Sequence, residues 1–491
     1  MTITGVGPQS SLVVRTLGDM RSQLGDLQRQ LGTGKKTTTY AGLGIDRGLA
    51  VGLRGRLAAM TSYSNTATQV GVRMNLQQSA LTRIADLGRT VKSATLTQFD
   101  IDSSGQTTTQ RAALSQLDEI LGLLNTPAGD RYLFSGRAGD KPATDTLDHI
   151  LNGDGARAGL NQVIAERRQA DLGTSGLGRL GIPATAGSLV SIAEETPASV
   201  SPLNGATVSG PTGSPAGISV NFTALPNPGD AITFSFALPD GTSKPLTLKA
   251  TNASPPAAGE FTIGANVNAT AANLQASLTA GVQKLAATSL TAASAMAAAD
   301  NFFNVGAGQP PMRVGGPTPA TATALVAGTS TNTVTWYTGE MGTDPARGTA
   351  VAKVDDALSV SYGARANEQA IRATIANVAV YAAMTFSPGD PNAKDRFNEV
   401  SQRVGNALAL PPNGQQKLQD IQAELAFAQT TMADAAKRQE QRRVTLEDLL
   451  QNIEQAPQEQ VAAQILALQT RLQASLQTTS MLYQLSIVNY L

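Results

Sequence analysis

From Val13 onward the apolar residues Val13, Leu17, Met20, Leu24, Leu27 and Leu31 advance by steps of four and three, the spacing of a coiled-coil seam. Near the other end Val461, Ile465, Leu468, Leu472 and Leu476 nearly repeat it, and the chain closes on the uncharged run Met481 to Leu491. Both ends are thereby committed to long amphipathic helices. Termini usually lie exposed and fray, so an apolar tail calls for a partner. The expected assembly interface is Val13, Leu17, Met20, Leu24, Leu27 and Leu31 at one end, and Ile465, Leu468, Leu472 and Leu476 at the other.

Composition narrows the function classes. The 491 residues include no cysteine, one histidine (His149) and one tryptophan (Trp336). A cysteine nucleophile and any Cys/His zinc site are therefore excluded. A Ser-His-Asp triad would have to use His149, yet the chain has no nucleophile-elbow motif. Carboxylates are plentiful, but no pair is singled out by spacing. The expectation is a structural protein, not an enzyme, with no cofactor and no metal. Lys plus Arg and Asp plus Glu both number 37, which argues against a nucleic-acid partner. No apolar run reaches the ~18 residues of a membrane span, so no membrane insertion is expected. The segment Met1 to Pro8 lacks the basic and apolar regions of a cleaved signal peptide. Any export would then read an uncleaved N-terminus.

To about residue 140 the pattern predicts three helical stretches, from about Gln9 to Gly34, Asp46 to Leu96 and Thr109 to Asn125. The second is imperfect, because Gln77 and Gly88 fall on its apolar seam, and a kink is expected there. Gly18, Gly25 and Gly32 recur every seven residues on one face of the first helix. Each glycine costs about 1 kcal/mol relative to alanine. The stripe fits either close packing inside one bundle or a segment ordered only in an assembly. At the C-terminal end Phe397, Val400, Val404 and Leu408 predict a short helix ended by Pro411-Pro412-Asn-Gly414. A long helix follows through Leu418, Ile421, Leu425, Met432, Ala435, Leu446, Leu449 and Ile453, with Gln439 and Arg442 interrupting its stripe. Pro457 marks a break before the final helix.

Between about 141 and 345 the chain turns rich in Gly, Pro, Ser, Thr and Ala. Asp230 to Leu238, the turn Pro239 to Thr242 and Lys244 to Lys249 predict a β-hairpin, and Thr270 to Asn301 one or two alanine-rich helices. Flexible boundaries are expected near Gly173 to Gly187 and Gly306 to Gly328. Strands are expected at Thr333 to Thr338, Ala350 to Val354 and Leu358 to Tyr362. The fold class is α+β: paired terminal helices in a stem (1–140 and 346–491), with an α+β insert (141–345) projecting from it.

Several segments resemble the bacterial flagellin and hook-filament junction family. Leu31-Gly-Thr-Gly-Lys-Lys36 is similar to the close of that family's first helix. Asn125-Thr-Pro-Ala-Gly-Asp-Arg-Tyr-Leu-Phe-Ser-Gly136 resembles the exit from the helical core, Trp336-Tyr-Thr-Gly-Glu340 the return segment, and Leu472 to Leu491 the terminal helix. The resemblance covers both ends, about half the chain. One departure is the run Thr37 to Ile45, where the family carries Asp-Asp-Pro. The resemblance implies a secreted structural subunit of the bacterial flagellum, exported unfolded and assembled outside the cell. Its partners would be copies of itself, hook-associated proteins and flagellin, and an export chaperone shielding the C-terminal helix. Arg131 to Gly136 and the return at Trp336 favour the junction subunit; the main filament subunit is the alternative, and a secreted enzyme carried by the insert or a plain helical bundle are the readings from other classes.

Overall fold

The computed structural model describes residues 7–193, 199–409 and 414–488, and side chains from residue 12 to residue 481 within those limits. Pro411, Pro412 and Asn413, expected to end a helix, and the last three residues of the tail lie outside the described residues. The α-helices are α1 (Gly7–Thr33), α2 (Arg47–Ala94), α3 (Thr108–Leu124), α4 (Leu147–Asn152), α5 (Leu160–Leu172), α6 (Val267–Leu285), α7 (Thr291–Phe303), α8 (Gln369–Ala383), α9 (Ala393–Ala409), α10 (Leu418–Glu454) and α11 (Gln458–Val488). The strands are β1 (Pro127–Ala128), β2 (Arg131–Tyr132), β3 (Leu189–Ala193), β4 (Ser199–Val200), β5 (Ala206–Thr212), β6 (Gly217–Phe222), β7 (Ala231–Ala237), β8 (Ser243–Thr251), β9 (Glu260–Thr262), β10 (Met312–Val314), β11 (Leu325–Ala327), β12 (Val351–Lys353) and β13 (Ser359–Ser361). The protein is mixed α and β, with long helices predominating.

Two compact units are present. One comprises Met1–Gln69, Lys353–Ser359 and Thr430–Leu491. In it α1 packs along α11, with Leu24 and Leu27 set against the buried Val461 and Ile465. The turn after α1 meets the break before α11: Lys36 N–H donates to the Glu454 carbonyl at 2.8 Å and Ala456 N–H to the Gly34 carbonyl at 2.9 Å. Pro457 sits at this break, where its missing N–H costs no helical bond. Arg54 closes the corner with a two-pronged contact to the Glu454 carboxylate, at 3.0 and 2.6 Å.

The same unit explains the polar interruptions on α10. Gln439 is buried, and its side-chain amide donates to the backbone carbonyl of Val354 at the tip of the β12–β13 ribbon. Arg442 pairs with Asp355 at 3.4 Å, and the Tyr63 hydroxyl of α2 donates to Asp356 at 2.9 Å. A carbonyl buried without a donor is expensive. The stripe is therefore broken where irregular backbone docks.

The second unit comprises Val70–Ala352 and Val360–Gln429. Its larger core joins Leu81, Ile84 and Leu87 of α2 with Leu117 and Ile120 of α3, Ile375 of α8 and Ile421 of α10. α3 begins with a reciprocal cap: Gln110 N–H donates to the Thr107 hydroxyl at 3.1 Å, and Thr107 N–H to the Gln110 side chain at 2.9 Å, leaving fewer orphan donors. Gln77 donates to the Leu133 carbonyl at 3.0 Å. At Gly88 an added Cβ would lie 3.4 Å from the Thr374 methyl. The helix is unbroken from Arg47 to Ala94, and its two irregular seam positions carry packing roles.

This core continues past residue 140 and before 345. Ala143, Ile150, Val163, Ala295, Phe302 and Trp336 all belong to it. A smaller core unites sheet β3-β6-β5, sheet β4-β7-β8-β9 and α6. All its pairings are antiparallel except β8 with β9. The hairpin β7–β8 places Ile232, Phe234 and Phe236 inward, following the alternation of the sequence. From α6 the chain passes without a loop through a π-helical turn, Ala286–Leu290, into α7. Thus α6 faces the small core and α7 the large one. The expected strand at Thr333 to Thr338 is not one: Thr333 and Tyr337 form single bridges to Ala158 and Thr144. The boundary expected at Gly306 to Gly328 contains the paired strands β10 and β11.

Candidate assembly face and the junction of the two motifs

The terminal helices hold the expected assembly residues on two kinds of surface. Val13, Leu17, Met20, Leu24 and Leu27 are half-buried, and Ile465, Leu468 and Leu472 are buried. These positions are largely covered within the chain, as the spacing of a two-helix seam requires. Leu31 and Leu476 remain exposed, and the apolar residues off the seam are more so: Leu12, Val14 and Leu466 are each 63–67% exposed, and Met481 is 62% exposed. The ten expected residues therefore divide into a seam inside the chain and an outer remainder. The spacing did not point to Leu12, Val14 or Leu466, because it reports which residues share a face and not what covers them.

The glycine stripe also faces outward. Among the described residues, no atom lies within 4 Å of a Cβ placed on Gly18, Gly25 or Gly32, and the same holds for Gly48, Gly52 and Gly55 at the start of α2. Close packing inside the chain does not require these glycines. Among the described residues no close neighbour offsets their helix-weakening effect.

In the second unit the structure brings together two motifs separated by about 200 residues of sequence. Glu340 N–H donates to the Ser135 carbonyl at 3.0 Å, Gly136 N–H to the Ala364 carbonyl at 3.2 Å, and Ala366 N–H to the Phe134 carbonyl at 2.9 Å. Arg137 spans Glu340 and Asp344 at 2.8 and 2.7 Å; hydrogen bonding to Asp344 and the charge of Glu340 raise its pKa. Trp336 is fully buried, its indole N–H donating to the Phe303 carbonyl at 3.0 Å. Tyr337 beside it is also buried, and desolvation pushes its phenol pKa up. Gly339 lets the chain cross the Tyr337 ring, since a Cβ there would lie 2.6 Å from the hydroxyl. The knot is backbone-bonded and aromatic, and it ties two distant segments together within the larger core.

The His149 ring stands 3.2 Å from the Asp145 carboxylate one turn away and is 44% exposed. Its backbone N–H donates to the Thr146 hydroxyl that caps α4, so this is a helix start. Among the described residues no group of three His, Cys, Asp or Glu side chains is placed to hold a metal ion. Among them, too, no helix is long and apolar enough to cross a membrane.

The PKD domain family matches residues 205–282. The match takes in β5 to β9 and most of α6, leaving β3 and β4 outside it. No curated protein matches the chain.

Proposed function

We propose that this protein is a structural subunit that self-assembles through its terminal helices, and that its place is the bacterial flagellum, at the hook-filament junction. The observation that carries the reading is the pairing of α1 with α11 while Leu12, Val14, Leu466 and Met481 stay exposed on the same two helices. A helix pair that leaves large apolar side chains exposed is underburied in the monomer, and burying them against neighbours supplies about 25 cal/mol per Å². The open glycines on α1 and α2 permit close approach by another helix. Meeting of Phe134 to Gly136 with Trp336 to Glu340 supports the junction subunit over the main filament subunit, since these segments carry the resemblance. A PKD-type module is commonly extracellular, which accords with a subunit assembled outside the cell, its C-terminal helix shielded by an export chaperone before secretion.

The test separates seam from outer surface. Val14→Asp combined with Leu466→Asp should leave the helical content of the monomer unchanged and abolish polymerisation, read by sedimentation and electron microscopy. Leu468→Asp with Leu472→Asp should instead unpair α11 from α1 and lower helical content as well. Polymers of normal mass from the Val14/Leu466 variant would remove the outer face from the proposal.

A further inference from the structure

The small core is joined to the large one through a narrow junction within the second unit. Two chain crossings make it: the loop Gly173–Gly178, with Gly173, Gly176 and Gly178 at φ of 68°, 71° and 74°, and the π-helical turn Ala286–Leu290. Among the described residues, the patch between the cores has four buried members, Leu238, Ala286, Leu290 and Ala293, with Leu172 and Leu285 half-buried against it. Open grooves flank it on two sides, one bordered by Leu246, Gly281 and Asn398, the other by Arg167, Pro239 and Ala324. A π turn interrupts the regular ladder of a helix, and such turns recur where helices do more than span.

Charged pairs bridge the same junction. Arg403 of α9 meets Asp240, in the turn of the β7–β8 hairpin, at 2.8 Å, with both side chains about nine-tenths buried. Arg403 also holds Glu399, which in turn takes Lys244 of β8 at 2.6 Å. At the outer edge Lys284 of α6 meets Asp395 of α9 at 2.9 Å. Every one of these pairs has one member on the small-core module and one on α9, or links two such members. They contribute directional bonds where the apolar patch is thin.

We infer that the module built on the small core is a hinged body, pivoting at Gly173–Gly178 and Ala286–Leu290, and that the chain Asp240–Arg403–Glu399–Lys244 is the latch that holds it against α9. The inference is independent of the assembly reading. A charge left without its partner in a largely buried site strongly favours the arrangement that returns it to water, and here rotation about two short crossings does so without disturbing either core. Hinge residues of this kind absorb the backbone change while packed bodies move as units.

The absence of cysteine allows a direct measurement on the full chain. Spin labels placed at Lys249→Cys on β8 and Lys394→Cys on α9 report one narrow distance distribution in the parent. Arg403→Ala broadens it, and amides of 173–178 and 286–290 exchange at least tenfold faster, while those of β7 and α8 keep their protection. Arg403→Lys restores most of the narrow distribution, and Arg443→Ala, which breaks an exposed pair on α10, leaves it as in the parent. Asp240→Asn serves as the second variant, because it removes one link and leaves Arg403 paired with Glu399; it broadens the distribution less than Arg403→Ala. An unchanged distribution in both variants overturns the latch. Loss of protection in β7 and α8 together in both variants overturns it equally, since the pairs would then hold up the cores and not the hinge.

Discussion

Gly178 sits so close to Leu290 that a Cβ built on it would lie 2.9 Å from the Leu290 Cδ2. The entry to the small-core module and its exit are thus neighbours in space, although 112 positions separate them along the chain (290 − 178). Closing so small a gap needs few residues.

Removal of 179–289 with a short Gly/Ser bridge is therefore expected to leave the larger core folded. Its cooperative thermal transition and buried Trp336 fluorescence should persist. The wider removal of Gly187 to Gly328, which the glycine-rich boundaries in the sequence invite, takes away α7 with the buried Phe302 and Phe303, the latter packed against Trp336. That version should lose cooperativity and expose the indole. Equal behaviour of the two deletions would contradict the division into two cores.

Gln439 offers a test in which an apparent improvement does harm. Gln439→Leu repairs the apolar stripe of α10 but leaves the Val354 carbonyl buried without its donor. The expected loss is about 1–3 kcal/mol, read as a lower denaturant midpoint. A stabilised variant would show that the ribbon tip is not docked through this bond.

Glu399 sets a dependence on acid. Burial alone would raise its pKa, but hydrogen bonds from Lys244, Arg403 and Ser289 outweigh that effect and the folded-state value is lowered. A lowered carboxylate pKa contributes stability that is fully present above the unfolded value of about 4.3 and is lost as pH falls through the folded value. Stability of the parent should fall below about pH 4.3, and Glu399→Gln should be less stable at neutral pH with a shallower acid loss. Parallel pH profiles for parent and variant would remove Glu399 from the acid response.

Much of this architecture could be read from residue spacing. The period of Phe397, Val400 and Val404 gave α9, the alternation from Asp230 to Leu238 gave β7, and the steps from Val13 gave α1. The α8 helix escaped although Ile371, Ile375 and Val378 keep helical spacing, because Ala376, Val380 and Tyr381 on its other sides are buried as well, and a helix with little polar face has a weak 3.6-residue contrast. Thr333 to Thr338 alternates like a strand, yet most of its backbone bonds go to loops, through Ala143, Asp145 and Ala158. The seam residues at both ends were legible. Which apolar residues stay outside was not, since that depends on the partner helix 450 residues away.

The proposal that the protein is an assembled flagellar junction subunit is tested most directly by locating it. Gold-labelled antibody against the chain, applied to sheared flagella from the native cells, should mark a compact band where hook meets filament. Label along the whole filament would point instead to the main filament subunit. Flagella without label, from cells that contain the protein, would contradict the account.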